Sequence, residues 1–267
     1  MDKIYNNIIN QLKEFQEHNH VNGYVLGVSG GKDSTVVAKL LVDSIDKENV
    51  LGVLMPNGEQ KDIEDSKKVC DLLNIDYTII DISHIYRNVL TGIQSNWNSD
   101  IPNIWGGATK NGRSLLLSEK ALTNVAPRIR MTILYAIAQS LGYLVAGTGN
   151  YSEQFIGWFT KWGDGACDIN PIAHLTCTEV IELGDYLGLP YELIHKTPAD
   201  GLTGKSDEEN FGFTYAELDA FILKQREFLS AGRLSSPYTE LEKKILNMCD
   251  ITRHKFQVVT LDNFKFK

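Results

Sequence analysis

The sequence lacks the features of a membrane, secreted or zinc-binding protein. Its 267 residues contain no apolar run near the roughly 20 residues that cross a bilayer, and the polar N-terminus does not resemble a signal peptide. The four cysteines, Cys70, Cys167, Cys177 and Cys249, are scattered and form no C-x-x-C pair. Neither a disulfide framework nor a zinc site is therefore expected. We predict reduced thiols, a cytoplasmic location and no membrane partner.

An excess of positive charge is also absent. The formal net charge is −8, which opposes non-specific binding to a polyanion, so no nucleic-acid partner is expected. The six histidines show no metal-ligand spacing. There is no internal repeat and no linker that would separate two domains, so we predict a single domain over residues 1–267.

A glycine-rich segment, residues 27–34, is the strongest feature that is present. It follows a short apolar run at 24–26, typical of a buried strand, and precedes apolar residues at helical spacing over 35–41. Glycines let a backbone approach a ligand closely, and a helix N-terminus attracts anions. The segment therefore predicts a phosphate-binding turn made of Gly27, Val28, Ser29, Gly30, Gly31, Lys32, Asp33 and Ser34.

The alternative is an ordinary strand-to-helix turn rich in glycine. A carboxylate, Asp33, lies inside the segment, and this is an odd choice for a structural turn but suits a metal ion bridged to a phosphate. A Walker A loop is excluded because Gly27 and Lys32 are one residue too close and no Ser or Thr follows the lysine.

Predicted strands and helices alternate along the rest of the chain. Further strands are predicted at 50–55, 77–80 and 143–147, and helices at 1–20, 62–73, 178–187, 215–229 and 237–248. Helical periodicity also runs over 118–141, with Asn124 a plausible N-cap and Gly142 a C′ stop. This order is typical of an α/β fold with a doubly wound parallel sheet, helices on both faces and additional C-terminal helices. Ligands bind beyond the carboxyl ends of the strands in such sheets, which is where segment 27–34 would lie.

Three segments have no regular period. Residues 94–114 and 197–213 are predicted to be loops that close over substrate. Residues 159–168 combine aromatic, glycine and charged residues and are predicted to form part of a site rather than a solvated turn. Arg130, in the predicted helix before them, either faces the interior or forms a surface ion pair.

The glycine-rich octapeptide resembles the SGGxDS loop of the N-type ATP pyrophosphatases, which cleave ATP between the α- and β-phosphates. Four further stretches, residues 55–60, 124–131, 147–153 and 160–168, resemble ammonia-dependent NAD synthetases in the right order and spacing. Residues 198–202 and 254–255 extend the resemblance to the C-terminal region.

The resemblance implies an adenine nucleotide alpha hydrolase-like fold and a two-step ligase reaction. The nicotinate carboxylate of deamido-NAD attacks the α-phosphate of ATP, the co-substrate, and ammonia then converts the NAD-adenylate to NAD and AMP. It also implies Mg²⁺ and a homodimer with deamido-NAD bound across the subunit interface. Because no glutaminase or nitrilase domain is attached to these 267 residues, free ammonia is the expected nitrogen source.

The resemblance assigns roles residue by residue. It implies that the octapeptide holds the pyrophosphate, with Gln60 and Thr148 also contacting ATP, and that Asp33 and Glu153 hold Mg²⁺. The implied deamido-NAD contacts are Arg128, Lys161, Asp168, His254 and Lys255. Asp33, Lys161 and Asp168 are the implied catalytic residues. Either Asp168 or Asp164 would guide or deprotonate ammonium.

Two positions depart from the family pattern. Cys177 stands where the family usually has a lysine that contacts an ATP phosphate, and Ala199 stands where a serine or threonine is usual. Lys196 or Lys205 could replace the missing cation. Two alternatives to the NAD-forming reaction stay open, a tRNA-modifying pyrophosphatase and a catalytically inactive nucleotide-binding paralogue. The scattered cysteines and the acidic charge disfavour the first of these.

Overall fold

A computed structural model describes residues 1–60, 62–95, 117–196, 207–230 and 237–256. Its strands are β1 Tyr24–Gly27, β2 Val50–Leu54, β3 Asp76–Ile79 and β4 Leu144–Ala146. They form a parallel sheet in the order β3-β2-β1-β4. Tyr24 is in register with Val50 on one side and with Leu144 on the other. All four strands therefore end at the same edge of the sheet.

The helices are α1 Asp2–Asn19, α2 Lys32–Ser44, α3 Ile63–Leu73, α4 Ser83–Ser95, α5 Glu119–Thr123, α6 Val125–Leu141, α7 Tyr151–Ile156, α8 Cys177–Tyr186, α9 Tyr191–Ile194, α10 Asp207–Phe211, α11 Tyr215–Ser230 and α12 Glu240–Thr252. Capping boxes fix the starts of α7, α8 and α12, where a cap side chain and a glutamate three residues later bond each other's backbone N–H groups. A short 3₁₀ helix, Arg253–Lys255, follows α12.

Helices cover both faces of the sheet. Successive strand residues point to opposite faces, and Tyr24 and Leu26 pack in one buried cluster with residues of α1, α2 and α8. Val25 and Val53 belong to a second cluster with α6. The predicted doubly wound parallel sheet with helices on both faces is confirmed.

A third apolar cluster holds the C-terminal helices against α7 and α8. Ile156, Leu218 and Ile245 are fully buried in it, and Trp158 meets Phe211 edge to face with ring centroids 5.0 Å apart. The predicted C-terminal helices are therefore present, and they pack against α7 and α8, which follow β4 in the chain.

The predicted elements agree with the structure except at a few places. Helices α4, α7 and α9 were not predicted. Asn124 is the N-cap residue of α6 and Gly142 ends it, as predicted, and the residues before Asn124 form a separate short helix, α5. Part of the predicted loop 197–213 forms α10, whereas residues 197–206 and most of the predicted loop 94–114 lie outside the described residues. No helix in the described part is long and apolar enough to cross a membrane. The single domain over 1–267 stays a prediction.

Candidate active site

The glycine-rich segment joins β1 to α2 at the carboxyl edge of the sheet, as predicted. Gly30 has a positive φ of 74°, and a Cβ there would lie 2.8 Å from the backbone nitrogen of Ser66 and 2.9 Å from the Cβ of Asp65. Helix α3 thus packs directly behind the turn. Only glycine meets both requirements, the left-handed backbone and the close approach.

Serine hydroxyl groups brace the turn from within. The Ser34 hydroxyl donates to the Gly31 carbonyl at 3.1 Å and accepts from the Ser29 backbone N–H at 3.3 Å. The Ser29 hydroxyl accepts from the Gly31 N–H at 3.3 Å. Gly31 is the N-cap of α2 and supplies no side-chain acceptor to the first helical turn. The first-turn N–H groups of a helix are the ones that bind anions, and this geometry supports the prediction of a phosphate-binding turn.

Asp33, in the first turn of α2, is held from two sides. Its Oδ2 accepts a hydrogen bond from the Lys32 ammonium at 2.9 Å, and its Oδ1 accepts one from the Asn150 side-chain amide at 3.1 Å. Lys32 is 6% exposed and Asp33 is 19% exposed. The carboxylate therefore lies in the site and keeps a fixed orientation.

Glu153 is positioned by the same asparagine. Asn150 is the fully buried N-cap of α7; its backbone N–H donates to the Glu153 carboxylate and its side-chain oxygen accepts from the Glu153 N–H, both at 3.0 Å. One residue thus fixes the two carboxylates that the sequence predicts as metal ligands. The role of Asn150 was missed, although the Asn-x-x-Glu spacing of a capping box was visible in the sequence.

The electrostatics of the pair favour a cation. Burial, together with repulsion from Asp33, raises the pKa of Glu153 well above the ordinary range of a glutamate, against attraction from Lys32. Burial alone would lower the pKa of Lys32, but attraction to Asp33 and Glu153 outweighs burial and raises it. One ammonium group faces two carboxyl groups, so the negative charge of Asp33 and Glu153 is only partly neutralised.

The donor set fits Mg²⁺. Mg²⁺ prefers oxygen ligands and is commonly bound by one or two carboxylates plus phosphates and water. Among the described residues there is no group of three or more His, Cys, Asp or Glu side chains that could hold a metal ion by itself. Asp33 and Glu153 would therefore supply part of the coordination shell of Mg²⁺, which water or the phosphates of a nucleotide would complete.

A polar network supports α7 from behind. Asp219 of α11 is 3% exposed, and its carboxylate accepts from the Ser152 hydroxyl and, at 2.8 and 2.7 Å, from the backbone N–H and hydroxyl of Thr178. The Ser152 hydroxyl in turn accepts from the Cys177 N–H at 2.9 Å. This network fixes the first turns of α7 and α8 relative to each other, and sequence reasoning did not find it because its members are far apart in the chain.

The other predicted ATP contacts follow neighbouring strands. Thr148 lies between β4 and α7, two residues before Asn150. Gln60 follows β2 and lines a polar cavity of about 320 Å³ together with Asn57, Tyr86 and Arg130. The Arg130 Nε donates to the Met55 carbonyl at 3.0 Å. Of the two alternatives for Arg130, the structure shows the interior-facing one.

A second group of predicted residues meets beside the first. The Arg128 Nε donates to the Lys161 carbonyl at 3.3 Å, and the Lys161 ammonium donates to the His254 carbonyl at 2.5 Å. The Lys255 ammonium donates to the carbonyls of Gly157 and Phe159, both at 2.7 Å. Burial lowers the pKa of Lys255. The structure thus joins α6, the 159–168 segment and the C-terminal 3₁₀ helix through the predicted deamido-NAD contacts.

Asp168 lies next to β4. Its Oδ2 accepts from the Val145 N–H at 2.8 Å and its Oδ1 accepts from the Tyr135 hydroxyl at 3.3 Å. The following residue, Ile169, forms a parallel bridge with Ala146. The carboxylate therefore anchors the end of the 159–168 segment to the sheet. Asp164, the other predicted ammonium-binding residue, accepts from the Thr160 N–H at 3.0 Å.

Cys177, which stands where the family usually has a lysine, lies inside the candidate site. Cys177 begins α8 and is 3% exposed. Burial raises the pKa of its thiol to about 12, against attraction from Lys32. Lys196, one proposed replacement for the missing lysine, is bound by Asp62 at 2.7 Å and Asp65 at 2.8 Å. Ala199 and Lys205 lie outside the described residues.

Comparison with known proteins agrees with this geometry. The family model for NAD synthase matches residues 4–259. A curated NH3-dependent NAD(+) synthetase of Pyrococcus horikoshii is 40% identical over 82% of this chain and 77% of its own. Among solved structures, the NMN synthetase of Francisella tularensis is similar with a TM-score of 0.80 and 30% identity over 98% of both chains. An NH3-dependent NAD synthetase of Campylobacter jejuni has a TM-score of 0.71 and 27% identity over 97% of this chain and 98% of its own.

The parallel sheet, the phosphate-binding turn and the paired carboxylates define an ATP-using α/β enzyme of the pyrophosphatase-loop class. The chain belongs to the NAD synthase family.

Proposed function

We propose that the protein forms NAD by ATP-dependent amidation of deamido-NAD with ammonia, and releases AMP and pyrophosphate. The observation that carries this proposal is the pair of carboxylates, Asp33 and Glu153, held by Asn150 beside the anion-binding turn in a chain that belongs to the NAD synthase family. The relatives from Pyrococcus horikoshii and Campylobacter jejuni carry the name of this activity. Family membership disfavours the tRNA-modifying alternative.

In the first step, a carboxylate oxygen of the substrate attacks the α-phosphorus of ATP. The bond to the bridging oxygen breaks, and pyrophosphate leaves with the electron pair. The first-turn N–H groups of α2 and the Lys32 ammonium would bind this leaving group, with Gln60 and Thr148 contacting the nucleotide. Mg²⁺ held by Asp33 and Glu153 would neutralise phosphoryl charge. No protein nucleophile is required.

In the second step, ammonia attacks the carbonyl carbon of the adenylate and AMP leaves. Arg128, Lys161, His254 and Lys255 would bind deamido-NAD beside the nucleotide. Asp168 would accept a proton from the attacking nitrogen, because its carboxylate is fixed by Val145 and Tyr135. Asp164 is the alternative acceptor. Exclusion of water is needed here because hydrolysis would destroy the intermediate.

Two further properties are part of the proposal. A homodimer with deamido-NAD across the subunit interface is proposed from the resemblance to the family. A cytoplasmic location is proposed because all four cysteines are free thiols in the structure, as in a reducing compartment.

A second candidate is amidation of nicotinate mononucleotide to NMN. The Francisella tularensis relative, named as an NMN synthetase, is similar over 98% of both chains. The two candidates share the adenylation chemistry and differ in whether the acid substrate carries a second nucleotide.

The test is incubation of the purified protein with ATP, Mg²⁺ and ammonium chloride plus either deamido-NAD or nicotinate mononucleotide, followed by mass spectrometry. We expect NAD and AMP in equal amounts from deamido-NAD, and no product in the Asp33→Ala and Glu153→Ala variants. A larger kcat/KM with nicotinate mononucleotide would support the second candidate. An absence of amide product from both acids would contradict both candidates and support an inactive paralogue.

A further inference from the structure

We propose that Lys32 is an exchangeable counter-ion, whose ammonium group leaves Asp33 for the phosphates of ATP when Mg²⁺ takes that carboxylate. This inference rests on the proposed use of ATP and Mg²⁺ and goes beyond it, because the SGGxDS pattern specifies no residue at the position of Lys32. It assigns that side chain a role in coupling metal and nucleotide binding.

The burial of Lys32 is the first observation. The residue is 6% exposed, and no other lysine or arginine in the described part of the chain is as buried. Burying an ammonium group is costly unless it is paired and hydrogen-bonded. A lysine in this position is therefore unfavourable for folding unless the site uses its charge.

The place of Lys32 in α2 is the second observation. It is the first residue of the helix, where the helix dipole disfavours a cation. The acidic neighbour Asp33, 2.9 Å from the ammonium, offsets this repulsion. The ammonium also lies 5.7 Å from the centre of the Tyr215 ring, whose hydroxyl donates to the buried carboxylate of Asp207 at 3.1 Å.

The carboxylate that Lys32 contacts is the one predicted to bind metal. Asp33 has Asn150 on one oxygen and Lys32 on the other, so a divalent ion and the ammonium compete for the same group. When the ion binds Asp33, the ammonium needs another anionic partner within reach. The phosphates bound at the first turn of α2 are such a partner, since Lys32 begins that turn.

This competition predicts that loss of the Lys32 charge changes the affinities for Mg²⁺ and for ATP in opposite directions. Replacement of Lys32 by methionine removes a positive charge next to the metal-binding carboxylates, so Mg²⁺ should bind more tightly in the absence of nucleotide. The same change removes a cation from the phosphates, so ATP should bind more weakly at saturating Mg²⁺. A purely structural lysine would not produce opposite shifts.

The experiment uses the full chain and four variants. Lys32→Met, Lys32→Gln and Lys32→Arg test the position, and Lys39→Met is the matched control because Lys39 forms an ion pair with Asp43 further along the same helix. Mg²⁺ affinity is measured from the shift of the melting temperature with MgCl2 alone, and ATP affinity is measured by calorimetry with excess Mg²⁺.

We expect Lys32→Met and Lys32→Gln to bind Mg²⁺ about tenfold more tightly and ATP about tenfold more weakly than the wild type. Lys32→Arg keeps the charge and should resemble the wild type, as should Lys39→Met. Weaker Mg²⁺ binding in both neutral variants, or unchanged ATP binding, would overturn the inference. If Lys32→Met does not fold, Lys32→Gln gives the same comparison. A protein that binds Mg²⁺ and ATP as expected but forms no amide product would contradict only the proposed function.

Discussion

The side-chain amide of Asn150 donates a hydrogen bond to the Asp33 carboxylate, across 117 positions of the sequence. The backbone of the same residue binds the Glu153 carboxylate at the start of α7. The asparagine thus connects the two halves of the candidate metal site, which come from the ends of β1 and β4. Residues that orient metal ligands in this way tune the metal site although they do not touch the ion.

The first prediction separates the two roles of Asn150, which are to cap α7 and to donate a hydrogen bond to Asp33. Asn150→Ser keeps a good N-cap, but its shorter side chain cannot reach Asp33, so we expect near-normal stability with a roughly 10–100-fold lower Mg²⁺ affinity or kcat/KM. Asn150→Ala should lose both functions, with a cost of about 1–2 kcal/mol in the free energy of unfolding. Urea denaturation and steady-state kinetics measure the two effects.

The control for this prediction is Thr239→Ala, which removes the N-cap of the same kind of capping box in α12. It should cost about 1 kcal/mol of unfolding free energy and leave kcat/KM unchanged. If Asn150→Ser were as active as the wild type, the proposed orientation of Asp33 by Asn150 would be wrong.

The second prediction concerns Gly30. Gly30→Ala places a Cβ 2.8 Å from the Ser66 nitrogen and also requires a left-handed backbone, so we expect a loss of about 2–4 kcal/mol in the free energy of unfolding and weaker ATP binding. Gly188→Ala is the matched control, because Gly188 has a φ of 67° with no atom within 4 Å of the added Cβ. That variant should lose only about 1 kcal/mol. Equal losses would show that the contact with α3 is unimportant.

The third prediction tests whether the side chains at positions 177 and 32 interact electrostatically. Cys177→Lys alone would bring a second buried ammonium near Lys32, and we expect a loss of roughly 2–4 kcal/mol in unfolding free energy. In a Lys32→Met background the same substitution should cost at least about 1 kcal/mol less, since one cation remains. A double-mutant cycle by urea denaturation measures this difference. Additive losses would mean that the two side chains do not interact.

The fourth prediction concerns pH and the Lys196 ion pairs. Hydrogen bonding to Lys196 lowers the pKa of Asp65 below its ordinary value of 3.8. A carboxyl group with a depressed pKa stabilises the folded state above its unfolded pKa and loses this effect as the pH falls through its folded pKa. Lys196→Met should therefore lower the unfolding free energy by about 0.5–1 kcal/mol at pH 7, and this difference should shrink below about pH 4.

Urea denaturation at several pH values measures the effect. Lys39→Met is again a suitable control, because it removes a lysine that pairs with Asp43 of α2 and not with Asp65 of α3. A wild-type-to-variant difference that stays constant down to pH 3 would contradict the assignment of the stabilisation to the ionised Asp65 carboxylate.

The sequence predicted most of the strands and helices because their signals are local. Alternating apolar runs and helical periodicity indicated the strands near residues 24, 50, 77 and 144, and the parallel order followed from their alternation with helices. Helix α4 was not recognised, although Asp81 precedes it and its carboxylate accepts from the Ser83 N–H at 2.8 Å, a start signal that is visible in the sequence. The start of α6 was indicated by Asn124, a residue type common at N-caps, and the structure has Asn124 in that position. Its side-chain oxygen accepts from the Thr160 hydroxyl at 2.6 Å instead of capping the helix, a contact between residues 36 positions apart that the sequence did not show.

The residues of the candidate site also fall into two groups, those that a local motif indicates and those that only contacts between elements reveal. The octapeptide is a contiguous motif, so Asp33 and the candidate anion-binding turn could be proposed from adjacent residues. The contact of Asn150 with Asp33, the Asp219 network and the approach of Lys32 to Tyr215 could not, since each joins residues of different elements. Lys196 was predicted as one replacement for the lysine that the family usually has at position 177. The structure shows Lys196 bound to Asp62 and Asp65.

The amino-acid sequence by itself determined the α/β architecture, the position of the candidate phosphate-binding turn and the family resemblance, because these depend on local periodicity and on contiguous motifs. Only the tertiary structure decided how Asp33 and Glu153 are oriented by one asparagine and where the Lys32 ammonium lies. The physical reason is that hydrogen bonds and charge interactions depend on distance in space, and packing of helices on a parallel sheet brings together groups that the chain separates by more than a hundred residues.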